Sequence, residues 1–223
     1  MPMGASNLHY GCQGGHWNII MWAKRNGCPS RSSSMCTSAA SGGHLELLKF
    51  IRSKRYQWDI ITCASAARHG HLEVLIWARE NGCPWNASTC SLAAKGGHLE
   101  IIKWARENGC GWNTMTCFHA AECGHLEILK WARENGCPWD EKICSIAAKY
   151  GHLRVLKWAH ANGCPWDAET CTEAASEGNL EMLKWLHASG CPWDAQTCRR
   201  AQEEGHVVVF QWALANGCET DTH

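Results

Sequence analysis

From His125 to Gly136 the chain reads HLEILKWARENG, with apolar side chains at Leu126, Ile128, Leu129, Trp131 and Ala132 and with Glu127, Lys130 and Arg133 between them. That spacing puts one apolar stripe on a helix. Asn135-Gly136 ends it, because glycine is free to take the left-handed conformation that closes a helix. Beyond Pro138 a second helix is expected. Asp140 is its predicted N-cap, the carboxylate accepting from free backbone N–H groups. Trp139 stands just before that cap and Cys144 four residues after it, the spacing of a hydrophobic staple. The helix then runs through Cys144, Ala147 and Ala148, small residues that let neighbouring helices come close.

This pattern recurs. The glycine of a Gly-His pair stands at Gly15, Gly43, Gly70, Gly97, Gly124, Gly151, Gly178 and Gly205, and His follows in every unit except at Asn179. The first spacing is 28 residues and each later one is 27. One helix pair this small cannot bury its apolar face, whereas stacked copies cover one another. The expected fold is therefore all-α, a solenoid of eight stacked helix-turn-helix repeats forming one domain over residues 1–223. The units are approximately 4–28, 31–56, 59–83, 86–110, 113–137, 140–164, 167–191 and 194–218, with a tail at 219–223. Ser32-Ser33-Ser34 marks the 28-residue unit and reads as a loop.

The stretch AAKGGHLEIIKWARENGC, Ala93 to Cys110, resembles the second half of an ankyrin repeat: the Ala-Ala pair, Gly-His, the apolar-Lys-apolar run and the closing Asn-Gly all match in place. The chain also resembles the Cys- and Trp-rich ankyrin subtype of large DNA viruses and protists. Ankyrin units run to about 33 residues. The residues missing here fall between Gly-Cys and Ala-Ala, where the family builds its β-hairpin finger, and the family's TPLH signature shrinks to Thr-Cys, as at Thr89-Cys90 and Thr170-Cys171. Fingers are therefore expected to be reduced or absent, moving partner contacts onto the first helix of each unit. The resemblance implies a non-catalytic scaffold for protein–protein interaction. Relatives often couple such arrays to ubiquitin-ligase adaptor segments such as F-boxes; the chain as it stands would supply at most the substrate-reading half.

Composition narrows the function classes. Lys plus Arg and Asp plus Glu both number 21, for zero net charge, which excludes the broad basic surface of a nucleic-acid binder. No apolar run approaches the roughly 20 residues of a membrane span. The start, MPMGASNLHYG, has neither the basic nor the apolar region of a signal peptide. The expected setting is the cytoplasm, or the nucleus, or a host cytoplasm for a viral chain, rather than secretion.

The sixteen cysteines and fourteen tryptophans then need a positional account. Cys28, Cys83, Cys110, Cys137, Cys164, Cys191 and Cys218 follow the helix stop; Cys36, Cys63, Cys90, Cys117, Cys144, Cys171 and Cys198 lie on the first helix. The resemblance makes both ladders packing positions, and free Cys behaves as a small buried hydrophobe. The alternative is a thiol- or metal-handling protein, with a pairing such as Cys83 with Cys90 as one form. Cys117, His119, Cys123 and His125 sit close in sequence, but Cys117 lies roughly 200° around the helix from His119, so the set is incomplete and no metal or cofactor is expected. The resemblance gives the histidines a turn-holding role. Tryptophans on the second helix and before the cap read as core and inter-repeat packing. No nucleophile motif, phosphate loop or carboxylate pair appears, which argues against an enzyme.

Positions that vary between repeats are available for recognition. On the first helices the expected outward ones are Ile61, Ala64 and Arg68; Ser88, Ser91 and Lys95; Met115, Phe118 and Glu122; Lys142, Ser145 and Lys149; Glu169, Thr172 and Ser176; Gln196, Arg199 and Glu203. Met115, Phe118 and His119 make the most apolar central patch. The partner-binding candidates on these helices are Ile61, Arg68, Lys95, Met115, Phe118, His119, Glu122, Lys149, Glu169 and Arg199. Unit eight adds Val208 and Leu214, because it reads HVVVFQWAL where others carry Glu and Arg or His. With Trp17, Ile19, Ile20 and Met21 at the other end, an end-to-end self-association is expected. The partner is a protein, with neither nucleic acid nor membrane involved.

Overall fold

The computed structural model describes residues 13–15 and 32–219. Most of the first unit, including its apolar Trp17, Ile19, Ile20 and Met21, lies outside them. Fourteen helices follow in order among the described residues: α1 Ser32–Ser41, α2 Leu45–Ser53, α3 Ile60–Arg68, α4 Leu72–Glu80, α5 Ala87–Gly96, α6 Leu99–Glu107, α7 Thr114–Glu122, α8 Leu126–Glu134, α9 Lys142–Lys149, α10 Leu153–Ala161, α11 Ala168–Ser176, α12 Leu180–Ala188, α13 Ala195–Glu203 and α14 Val207–Ala215. They form seven pairs at the expected places, joined by short turns, with no strand among the described residues. The Ser32-Ser33-Ser34 run is not a loop: it opens α1.

Local chemistry accounts for the helix ends. Side chains of Asp59, Asn86, Asp167 and Asp194 accept from the backbone N–H two residues on. Asp140 does the same toward Lys142 N at 3.2 Å, although α9 begins one residue later than the others, with Glu141 in the cap position. At the other end Gly136 takes φ +82°, the left-handed region that only glycine enters without strain.

The chain divides into two compact units, 1–116 and 117–223. Within each, first helices pack side by side: α1 on α3 and α3 on α5 in one, α9 on α11 and α11 on α13 in the other. The residues at that contact are small. Ala66, Ala67, Ala93 and Ala94, like Ala147, Ala148, Ala174 and Ala175, are fully buried. The second helices contribute Leu75, Ile102, Leu129, Leu156 and Leu183, fully buried as well.

The Gly-His ladder links repeats. Nε2 of His44, His71, His98, His152 and His206 donates to the backbone carbonyl of Gln13, Ser41, Arg68, Glu122 and Ser176, at 2.9 to 3.1 Å. Each imidazole thus reaches back to the previous repeat rather than tying its own turn. The glycine makes room for it: a Cβ on Gly70 would lie 2.7 Å from the ring of His98. Asn179 breaks the ladder, capping its own helix at Met182 N, 3.0 Å away.

The cysteines close each repeat on itself. The thiols of Cys83, Cys110, Cys164, Cys191 and Cys218 donate to the backbone carbonyls of Asp59, Asn86, Asp140, Asp167 and Asp194, at 3.3 to 3.5 Å. Each bond ties the end of the second helix to the cap of the first. The staple geometry forms too: Trp85 packs against the cluster holding Cys90, and Trp193 against that holding Cys198.

The tryptophans depart from the core reading. Those in the described repeats are half-buried rather than buried. They line the rim of the core in edge-to-face pairs such as Trp85 with Trp104 and Trp139 with Trp158, with centroids 5.7 and 5.8 Å apart. An indole is too large for the tight first-helix contact, and its N–H is better satisfied near water.

Candidate partner-binding surface

The varying first-helix positions split into three rows. The row nearest the helix start is exposed throughout, at Ile61, Ser88, Met115, Lys142, Glu169 and Gln196. At the helix end Arg68, Lys149 and Glu203 are exposed, while Lys95, Glu122 and Ser176 are half-buried. The middle row corrects the sequence reading: Ala64, Ser91 and Ser145 are buried, not outward. That position is the seam between adjacent first helices. Thr37 Oγ1 meets Thr62 Oγ1 across it at 3.3 Å, and Thr172 meets Thr197 at the same distance. Small side chains vanish into the seam, whereas Phe118 is too large and stays half-buried at its edge.

Side-chain pairing further shapes this face. His119 Nδ1 lies 2.8 Å from Glu122 Oε2, both half-buried, with the Phe118 ring edge-on to the imidazole at 5.7 Å. Lys149 Nζ reaches the neighbouring repeat at Glu173 Oε2, 3.2 Å away. Arg199 lies 3.7 Å from Glu203.

In the second unit the face is concave. A groove of about 250 Å³ is lined by Phe118, Lys142, Ser145, Ile146, Lys149, Glu169 and Glu173. Three sequence candidates, Phe118, Lys149 and Glu169, come together there. Ile146 and Glu173 were missed. Their signal was present, since the same position reads Ser65, Leu92, His119, Ile146, Glu173 and Arg200 across the repeats.

Val208 and Leu214 lie elsewhere, on α14. They are 66% and 41% exposed and Val207 is 59% exposed, so the last described helix presents an apolar stripe.

The thiols are placed for packing. Of the fourteen cysteines among the described residues, all but Cys123 are buried. The two ladders meet pairwise within a repeat: Cys63 with Cys83, Cys117 with Cys137, Cys144 with Cys164 and Cys171 with Cys191. The partner thiol's hydrogen bond first, and burial second, push Cys83, Cys117, Cys164 and Cys191 above the ordinary thiol range. Burial, then Cys218, pushes Cys198 up to about 12. Cys110 shifts down through its hydrogen bond to Cys90, helped by Arg106 against burial. Reactive thiols need an exposed, electropositive setting, which none of these pairs has. Cys83 contacts Cys63 rather than Cys90. Among the described residues no three His, Cys, Asp or Glu side chains converge as a metal site, and no helix is long and apolar enough to cross a membrane.

No family model matches the chain, and no curated protein matches it. Among solved structures it is similar to the ankyrin repeat domain of human ASB11, at 19% identity over 70% of this chain and 84% of that one, with a TM-score of 0.58. Stop-glycine helix pairs, stacked first helix on first helix and bridged by histidine, agree with that likeness: this chain has an ankyrin-repeat fold.

Proposed function

We propose that the chain is a non-catalytic scaffold that binds a protein partner with the exposed face of its first helices. One observation carries the reading. Across the repeats the near-invariant positions serve the core, the caps and the inter-repeat bonds, while the varying row nearest each first-helix start, Ile61, Ser88, Met115, Lys142, Glu169 and Gln196, is exposed throughout. The reduced fingers leave this face uncovered, and the buried thiols suit the reducing cytoplasm or nucleus. A partner read in this way fits the substrate-reading half of a ubiquitin-ligase adaptor. The Cys- and Trp-rich unit adds the host cytoplasm as the setting for a viral or protist form.

The test is affinity capture from the native cell extract with the intact chain, followed by cross-link mapping. Cross-links concentrated on Ile61, Met115, Lys142, Lys149, Glu169 and Arg199 support the reading. A partner cross-linked only to the second helices overturns it.

The exposed Val207, Val208 and Leu214 favour a second contact. Three large apolar side chains exposed on one helix form a patch that marks a contact surface, with end-to-end self-association as the arrangement. Light scattering that shows a strict monomer at high concentration sinks that version.

A further inference from the structure

The groove on the second unit is a concave part of this face, and its chemistry is specific. Phe118, Ser145 and Ile146 line it beside the charged residues. The notch exists because a small serine follows a phenylalanine at equivalent positions of successive repeats. A volume of about 250 Å³ falls below the roughly 300–1,000 Å³ of pockets that enclose small molecules. It suits one bulky side chain entering from a protein surface.

The charges around it balance. Lys149 is held by Glu173 at 3.2 Å. Lys142 and Glu169 stand exposed at equivalent positions of neighbouring helices, giving the notch a cationic and an anionic flank around the apolar Phe118 and Ile146. A strongly charged ligand would be repelled by one side as much as it is drawn to the other.

Resting on the reading of the first-helix face as a partner surface, we infer that this groove takes a protein segment presenting one bulky apolar side chain flanked by an acidic and a basic residue. The apolar side chain lies against Phe118 and over Ser145. The acidic neighbour faces Lys142 and the basic one faces Glu169. Apolar anchors in desolvated notches carry most of the energy of such contacts, and the flanking charges set the direction of the segment.

The test is selection of a random dodecapeptide phage library on the full chain. Enriched peptides are expected to share one aromatic or large aliphatic residue between an acid and a base. Their affinity should fall at least about tenfold on Phe118→Ala. Ser145→Leu, which fills the notch, should do the same, with circular dichroism confirming the fold of both variants. The double exchange Lys142→Glu with Glu169→Lys, at two exposed positions, should select the reverse order of flanking charges. Peptides that ignore all these changes but are lost on Ile61→Ala or Arg199→Ala overturn the groove and leave the broader face intact. Peptides insensitive to every change, or no enrichment at all, overturn both.

Discussion

The guanidinium of Arg106 lies 4.3 Å from the ring centroid of Trp112 and donates to the Cys110 carbonyl at 2.6 Å. Arg106 ends the second helix of one repeat and Trp112 opens the next, so this contact joins the two. Arg79 with Trp85 and Arg133 with Trp139 repeat it. In the last two such positions arginine gives way to His160 and His187, stacked on Trp166 and Trp193 at 3.6 and 4.2 Å. Half-exposed cation–π contacts stabilise by about 0.5–1 kcal/mol, and a charged hydrogen bond adds a similar amount or more. Arg106→Ala is expected to cost about 1–2 kcal/mol in urea unfolding. Arg106→Lys should recover less than half, because an ammonium lacks the planar face and the fork.

Two buried threonines should respond oppositely to the same change. Thr170 Oγ1 is buried without a hydrogen-bond partner, because its seam neighbour Ser145 bonds to the Lys142 carbonyl instead. Thr197 is bonded to Thr172. Thr170→Val is therefore expected to stabilise the protein by about 1 kcal/mol, and Thr197→Val to destabilise it by a similar amount. Thermal or chemical unfolding of the two variants decides this.

Acid should loosen the inter-repeat ladder at His71. Burial lowers its pKa below 6.5, against a raising hydrogen bond to Ser41, and the like charges of His69, His44 and His98 lower it further. The folded state then binds fewer protons than the unfolded one. The contribution is complete above about pH 6.5 and is lost as the pH falls through the depressed folded value. The urea midpoint should fall between about pH 7.5 and 5.5, and His71→Asn should flatten that limb. Asn179 already holds the equivalent place.

The cysteine pairs should resist modification while the fold is intact. An aromatic disulfide reagent is expected to react slowly with the native chain, reaching half-buried Cys123 first among the described thiols, and rapidly once denaturant is added. Fast native reaction of Cys83 or Cys164 would return weight to a thiol-handling role.

Repeat length, helix ends and caps were legible in the sequence because each is a local event. Asn135-Gly136 stops a helix and Asp59 caps one within a few residues, so periodicity and spacing suffice. The reduced fingers followed from a simple shortage of residues between Cys137 and Ala147. Contacts between helices were not legible, since they depend on which residues the packing brings together. Nothing local says that His98 bonds to the Arg68 carbonyl, that Cys83 meets Cys63, or that the tryptophans sit at the rim under arginines. Ala64, Ser91 and Ser145 looked outward because they vary. They are buried because adjacent first helices meet there, and a seam accepts any residue small enough. The groove arises from the same cause: Phe118 cannot enter the seam, Ser145 can, and only stacked helices turn that difference in size into a notch.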